Sequence, residues 1–309
     1  MLASQVIRAL GIEVQALFFE TPFFTSVKAR ESARSINLPI KVIDITTRHL
    51  EVLKQPKHGY GENMNPCIDC HCLMFRVAGE MMKEERADFI ITGEVLGQRP
   101  MSQNRKALSL IDSESGLEGL IIRPLSAKKL PLSQPEQYGW VDRDKMHDFS
   151  GRSRKPQIAL AKRLNILKYP SPAGGCLLTD SMFSRRLKDL FSSQSSFELR
   201  EIELLKFGRH FRINSKTKII IGRNQAENHA ISMLATDADL RLNTTTIPGP
   251  TTLVTGEISP EIEESAAIMT VSYSDAGVGI TGVALRHNGG DWRKNVKGRG
   301  KQEFIKYML

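Results

Sequence analysis

The chain has 309 residues, 40% of them hydrophobic, and a formal net charge of +9. That length is comfortable for two domains, and the apolar fraction is too high for wholesale disorder. The basic excess is spread over both halves rather than gathered in a tail, so it suits a polyanionic partner without requiring one. No apolar run approaches the roughly 18 residues that a membrane-crossing helix needs, and the N-terminus lacks the charged-then-apolar order of a signal peptide. The expected location is the cytoplasm.

Leu2, Val6, Ile7 and Leu10 share one helical face. A short apolar run over 13–19 reads as a buried strand, 26–36 as a helix, and 40–45 as a second strand. Residues 46–72 read as one long loop bearing Gly, Pro and Asn. Leu73, Val77 and Met81 lie on one stripe of a helix over 73–85. Strands over 88–92 and 120–124 follow. Residues 151–166 form a basic helix, and a turn over 170–175 leaves Cys176 in a loop. Strands alternating with helices imply an α/β fold, with a parallel sheet and helices on both faces. After about residue 180 the pattern changes to an α+β module. It has a linking helix over 181–191, a Ser-rich linker over 192–196, strands at 208–213, 218–222 and 251–255, and a helix over 224–234.

Cys67, Cys70 and Cys72 fall within six residues, and the fourth cysteine, Cys176, is far off. Four cysteines at this spacing are not a secreted disulfide framework; they read as metal or redox chemistry. Two residues between cysteines let both sulfurs converge on one centre. The residues leave four readings open. One is an iron–sulfur cluster, and another is a persulfide-carrying pair such as Cys70 and Cys176 that resolves as a disulfide. The others are a structural zinc on all four sulfurs and four unrelated buried thiols. On a strand-like backbone Cys70 and Cys72 would point the same way. Asp69 reads as a cap for the helix after it or as a group that orients a substrate. His71 reads as a surface or capping residue, with a ligand or proton carrier as the alternative.

Residues 1–180 resemble the adenine-nucleotide α-hydrolase domain of tRNA-thiolating enzymes, nearest to 4-thiouridine synthases. The resemblance rests on four stretches. These are Asn65-Pro66-Cys67-Ile68-Asp69-Cys70, Ile91-Thr92-Gly93-Glu94-Val95-Leu96-Gly97-Gln98 with Ser102-Gln103, Ile122-Arg123-Pro124-Leu125, and Gly174-Gly175-Cys176. Residues from about 196 onward resemble the RNA-binding domain of NFACT-type proteins, through Gly208-Arg209-His210-Phe211-Arg212 and 221–228. The expected division is a thiolation domain over 1–185, a linker over 186–196, and an RNA-binding domain over 197–309.

The resemblance implies ATP-dependent thiolation of a tRNA uridine, with ATP, Mg²⁺ and a [4Fe-4S] cluster as cofactors. Zinc or no metal is the alternative. It implies that Cys67, Cys70 and Cys176 hold the cluster, with Asp69 beside them in the catalytic site and Cys72 a bystander. Gly93, Glu94 and Gln98 would contact nucleotide. Arg99, Gln103 and Arg105, then Arg209, Arg212, Arg223 and Asn224, would contact RNA. Basic stretches at Arg152, Arg154, Lys155, Lys162 and Arg163, and at Lys294, Lys297, Arg299 and Lys301 beside Trp292, are further RNA candidates. Phe207 and Phe211 read as core. The partner is tRNA; the sulfur donor is unknown and a homodimer is left open.

The chain departs from this pattern in one respect. The family opens on a strand and a Ser-Gly-Gly-x-Asp-Ser loop whose backbone N–H groups meet the ATP pyrophosphate. No such loop occurs in this sequence. The missing strand would sit mid-sheet, and each buried backbone group left without a partner costs about 1–3 kcal/mol. The expectation is that the product begins upstream of Met1. The rival readings are a noncatalytic RNA-binding protein with a truncated nucleotide site and a sulfur carrier acting on a small molecule.

Overall fold

The structure, a computed structural model, describes residues 1–170, 175–194 and 196–309. It separates into two compact units, Met1–Thr179 and Asp180–Leu309. Among the described residues no helix is long and apolar enough to cross a membrane. The expected turn over 170–175 falls largely on 171–174, and the Ser-rich linker includes residue 195; these positions lie outside the described residues.

Unit 1 alternates helices and strands in the order α1 (Leu2–Arg8), β1 (Ala16–Glu20), α2 (Val27–Ser35), β2 (Ile40–Asp44), α3 (Thr46–Lys54) and α4 (Cys67–Glu84). It continues with β3 (Ile90–Ile91), α5 (Arg105–Glu114), β4 (Ile121–Ile122), α6 (Gln134–Gln137) and α7 (Lys155–Arg163). β1 pairs with β2 and β3 with β4, both in parallel. This is the α/β class read from the sequence. The loop expected over 46–72 is corrected twice. Residues 46–54 are helical, and α4 starts at Cys67 rather than Leu73. Leu53, which is fully buried, anchors the first of these helices.

The two strand pairs do not join into one sheet. A cavity of about 1000 Å³ lies between them. β1 lines it with Ala16, Leu17 and Phe19, and the β3 segment lines it with Phe89, Ile90, Ile91 and Thr92. Strand edges need ladder partners.

Unit 2 runs α8 (Ser181–Ser193), α9 (Leu199–Leu204), β5 (Arg209–Arg212), β6 (Thr217–Ile221), α10 (Gln225–Leu234), β7 (Leu240–Thr244), β8 (Thr252–Gly256), α11 (Pro260–Ser272), β9 (Ile280–His287) and β10 (Gly290–Lys297). The strands form one antiparallel sheet in the order β10-β9-β7-β8-β6-β5. α8 is fastened within this unit: the Arg212 guanidinium donates to both carboxylate oxygens of Asp189 and to the Ser193 hydroxyl, and Arg186 donates to the carbonyls of Leu205 and Gly208. Its core places Leu242, Leu285 and Val283 against Ala266, Ala267 and Met269 of α11. Phe211 is fully buried in the same core and Phe207 packs on a neighbouring cluster, as expected of both.

Leu285 is 1% exposed. Leu285→Ala is expected to destabilise unit 2 by about 2–5 kcal/mol, through lost burial and a residual cavity. Urea unfolding followed by Trp292 fluorescence in a Trp140→Phe background measures it.

Candidate functional site

Helix α4 sets the geometry of the thiols. Successive residues turn by about 100° around a helix, so Cys67 and Cys70 share a side while Cys72 is turned about 200° from Cys70. The strand-like alternation that would align Cys70 with Cys72 is therefore corrected. Cys72 enters an apolar cluster with Phe75, Ile111, Leu117 and Ile121, where its charged neighbours are Glu114, Arg76, Asp69 and Lys57.

The other three cysteines share one electrostatic neighbourhood. Cys70 feels Cys176 and Cys67 ahead of Asp69 and Cys72, and Cys176 feels Cys67 and Arg99. The segments carrying them meet: the Asn63 amide donates to the Thr179 carbonyl at 2.8 Å, and the Leu177 N–H donates to the Phe23 carbonyl at 3.1 Å. All four cysteines are free. Burial pushes each thiol up, Cys70 furthest, Cys72 and Cys176 to about 11. Arg99 opposes that rise at Cys67 and Cys176. Among the described residues no group of three or more His, Cys, Asp or Glu side chains is arranged to hold a metal ion.

Asp69 is 7% exposed and accepts a hydrogen bond from the His58 backbone N–H at 3.0 Å. It ties the preceding loop to the first turn of α4 and, lying inside that helix, is not the cap expected.

A buried ionic chain lies beside the thiols. Arg123, just past β4, donates to both carboxylate oxygens of Asp112 on α5, at 2.7 and 2.8 Å. Its Nε donates to Glu94, just past β3, at 3.0 Å. The other oxygen of Glu94 lies 3.1 Å from Nδ1 of His71, the residue after Cys70 on α4. Arg123 and Glu94 are 4% and 6% exposed. Burial alone would raise the Glu94 carboxyl, but His71 and Arg123 hold it below the usual carboxylate range. Removing one partner from such a chain leaves a buried charge unmatched, the costliest defect an ion pair suffers. The sequence reading missed Arg123 and Asp112. A carboxylate at a strand end is a signal that a cation must lie near it, but only the fold names the cation.

His71, Gly93, Glu94 and Gln98 all line the cavity between β1 and β3. The Gln98 side-chain amide nitrogen is buried there without a hydrogen-bond partner, and the Gln103 side-chain oxygen is likewise buried and unpaired. Unmatched buried polar atoms of this kind mark a place where a ligand group can bind. Arg154, from the basic stretch before α7, also reaches the cavity.

The expected RNA-contact residues fare unevenly. Arg99 is exposed and sits by the thiols. Arg105 is exposed and donates to the Lys129 carbonyl. In unit 2, Arg209 lies over the Tyr273 ring at 5.3 Å and Arg212 is held by Asp189. Arg223 is paired with Glu227, and Asn224 caps α10 by accepting from the Glu227 N–H at 3.0 Å. Lys294 is held by Glu263 and Glu264. The last four of these side chains are occupied by internal contacts that build the unit.

Comparison with known families bears on both units. Residues 2–130 match the family described as "Thiamine biosynthesis protein (ThiI)", and residues 208–308 match the "NFACT protein RNA binding domain". The first part of the chain is thus similar to ThiI-type proteins and its last third to NFACT-type RNA-binding domains. No curated protein matches the chain. A structure of the C-terminal part of the fibronectin/fibrinogen-binding protein from Streptococcus suis matches at 15% identity and a TM-score of 0.28. The match covers 85% of this chain and 97% of that one, and at that score it carries no argument. The ThiI-type match spans Cys67, Cys70, Glu94 and Arg123; Cys176 lies beyond it.

Two predictions follow from this geometry. Iodoacetamide at pH 8 is expected to label the half-buried Cys67 and Cys176 first, and Cys70 and Cys72 only as urea unfolds the chain, read by peptide mass spectrometry. In the NFACT-type segment, burial lowers the Lys218 ammonium to about 8, with Asp189 opposing the fall. An unfolded lysine titrates near 10.4, so between those values the unfolded chain binds the extra proton and stability rises with pH. Unit 2 is expected to gain up to about 3 kcal/mol from pH 8 to 10.4 on this account, and Lys218→Met to lose that gain. Urea midpoints of the two proteins across that range measure it.

Proposed function

We propose that this chain acts in tRNA thiolation, 4-thiouridine formation above all, as a sulfurtransferase whose sulfur centre is held by Cys67, Cys70 and Cys176. The observation that carries the reading is the shared neighbourhood of those three free thiols, brought together from segments about a hundred residues apart and flanked by Arg99. Soft sulfur donors suit an iron–sulfur cluster better than a hard cation, and the three thiols, which are not arranged to hold a metal ion as they stand, would have to close on it. Cys67, Cys70 and Cys176 would hold such a cluster, and when bound it would supply sulfide-level sulfur to a uracil carbon whose oxygen has first been activated as a leaving group. The chain's own residues do the rest. Arg99 offers a cation to an RNA phosphate beside the thiols. Glu94, fixed by Arg123, holds the His71 ring at the cavity wall, and Gln98 presents an unpaired N–H there.

ATP fits these residues poorly. α1 opens at the cavity with Leu2, Ala3 and Ser4, which supply no glycine-rich phosphate cradle, so no step is routed through ATP or Mg²⁺. The second reading is a noncatalytic RNA-binding protein. The thiamine chemistry named in the family description offers a small-molecule acceptor; the RNA-binding unit favours RNA.

The test is anaerobic reconstitution with iron and sulfide, then incubation with unthiolated tRNA, ATP and Mg²⁺. Thiolated nucleoside is read by mass spectrometry and iron by metal analysis. Cys176→Ala and Cys70→Ala are expected to lose most of the iron, and Cys72→Ala to keep it. Zinc in place of iron sinks the cluster. RNA bound but never thiolated, by the chain as given or with an added phosphate-loop strand, leaves the noncatalytic reading.

A further inference from the structure

The two faces of the unit 2 sheet are covered unequally. One face is packed throughout by α11. On the other, α9 and α10 place Leu204 and Ile231 over Ile220 of β6 and Leu253 of β8. Beyond β8 this cover stops. The register continues the same face outward from Leu253 to Arg241 on β7, and from there to Arg286 on β9. The next row sets Asn243 on β7 beside Ala284 on β9 and Arg293 on β10. Lys297, at the far end of β10, faces the same way. Along β9 and β10 the alternation agrees: Val283, Leu285 and Val296 are buried, while Arg286, Arg293 and Lys297 are exposed.

This open face carries four cations against one carboxylate, Asp291. None of Arg241, Arg286, Arg293 and Lys297 makes a side-chain hydrogen bond or ion pair among the described residues. Arg241 stands directly across from Arg286, and like charges so placed repel. The residues between them are small or polar: Gly282, Ala284, Asn243 and Asn295. No aromatic ring lies on this face; Trp292 is in register with buried Leu285 and so on the other one. A flat, basic, ring-free surface suits a chain of phosphates rather than bases.

We infer that the open β7-β9-β10 face is where the NFACT-type segment takes RNA, through the phosphate backbone and without reading sequence. The inference rests on the RNA-binding reading of that segment and places it on residues other than Arg209, Arg212, Arg223 and Asn224.

The test uses the full chain with fluorescently labelled tRNA and oligouridylate, titrated at several salt concentrations. Arg286→Ala/Arg293→Ala is expected to weaken both RNAs alike, by about tenfold, and to make the dependence of log K on log salt shallower by about 1.5. Arg286→Lys/Arg293→Lys is expected to restore most of the loss. Lys216→Ala, at an exposed ion pair elsewhere in the unit, is expected to bind as the parent does. Unchanged thermal melting shows that the variants are folded. A parent chain that binds RNA and a double alanine variant that binds equally well overturn the inference alone. A parent chain that binds neither RNA overturns the RNA-binding reading with it. Poly-glutamate held as tightly as tRNA, and weakened by the same double variant, makes the face an acidic-peptide site and overturns the RNA assignment.

Discussion

Arg123 sits between Asp112 and Glu94 with almost no access to water, and unit 1 is organised around that fact. A guanidinium in such a place is tolerable only with carboxylates fixed on it. Those carboxylates come from α5 and from the end of β3, and Glu94 passes the constraint on to His71 of α4. One ionic chain thereby holds the strand ends, the helix that carries Cys67 and Cys70, and the wall of the cavity. The parts that would do chemistry are positioned by the parts that must stay charged and buried.

The cavity follows from the same frame. Parallel strands bind ligands past their carboxyl ends, and Gly93, Glu94 and Gln98 stand at the end of β3. The space extends down between β1 and β3, where apolar residues from both strands face each other. Its lining includes both these polar residues and the apolar ones, and the buried Gln98 amide nitrogen has no hydrogen-bond partner.

Unit 2 solves a different problem. Its antiparallel sheet can leave one side in water, and it does so over only half its width. Where α9 and α10 cover the sheet, Leu253 and Ile220 face them; where the cover stops, the same face turns to arginine, asparagine and glycine. The arginines most visible in the sequence, Arg212 and Arg223, are paired with Asp189 and Glu227 and serve the unit's own architecture. Charge in a sequence does not say which cations are already matched.

Much of the molecule was legible in the residues. Apolar runs and helical stripes gave the α/β class of unit 1. The helix over 67–72 was not legible, because an Asn-Pro-Cys stretch with polar neighbours has no amphipathic stripe of its own. The hairpin of β9 and β10 escaped for a related reason: half its residues face water, so the apolar signal is diluted. What the sequence determined alone was the inventory, namely which thiols, carboxylates and cations exist and which segments can be buried. Tertiary structure decided the matching: that the Cys176 segment lies against the one before α4 while Cys72 turns into the core, and that Arg123 rather than another cation meets Glu94. Such pairings depend on distances between segments far apart in the chain, and local propensity carries no information about them.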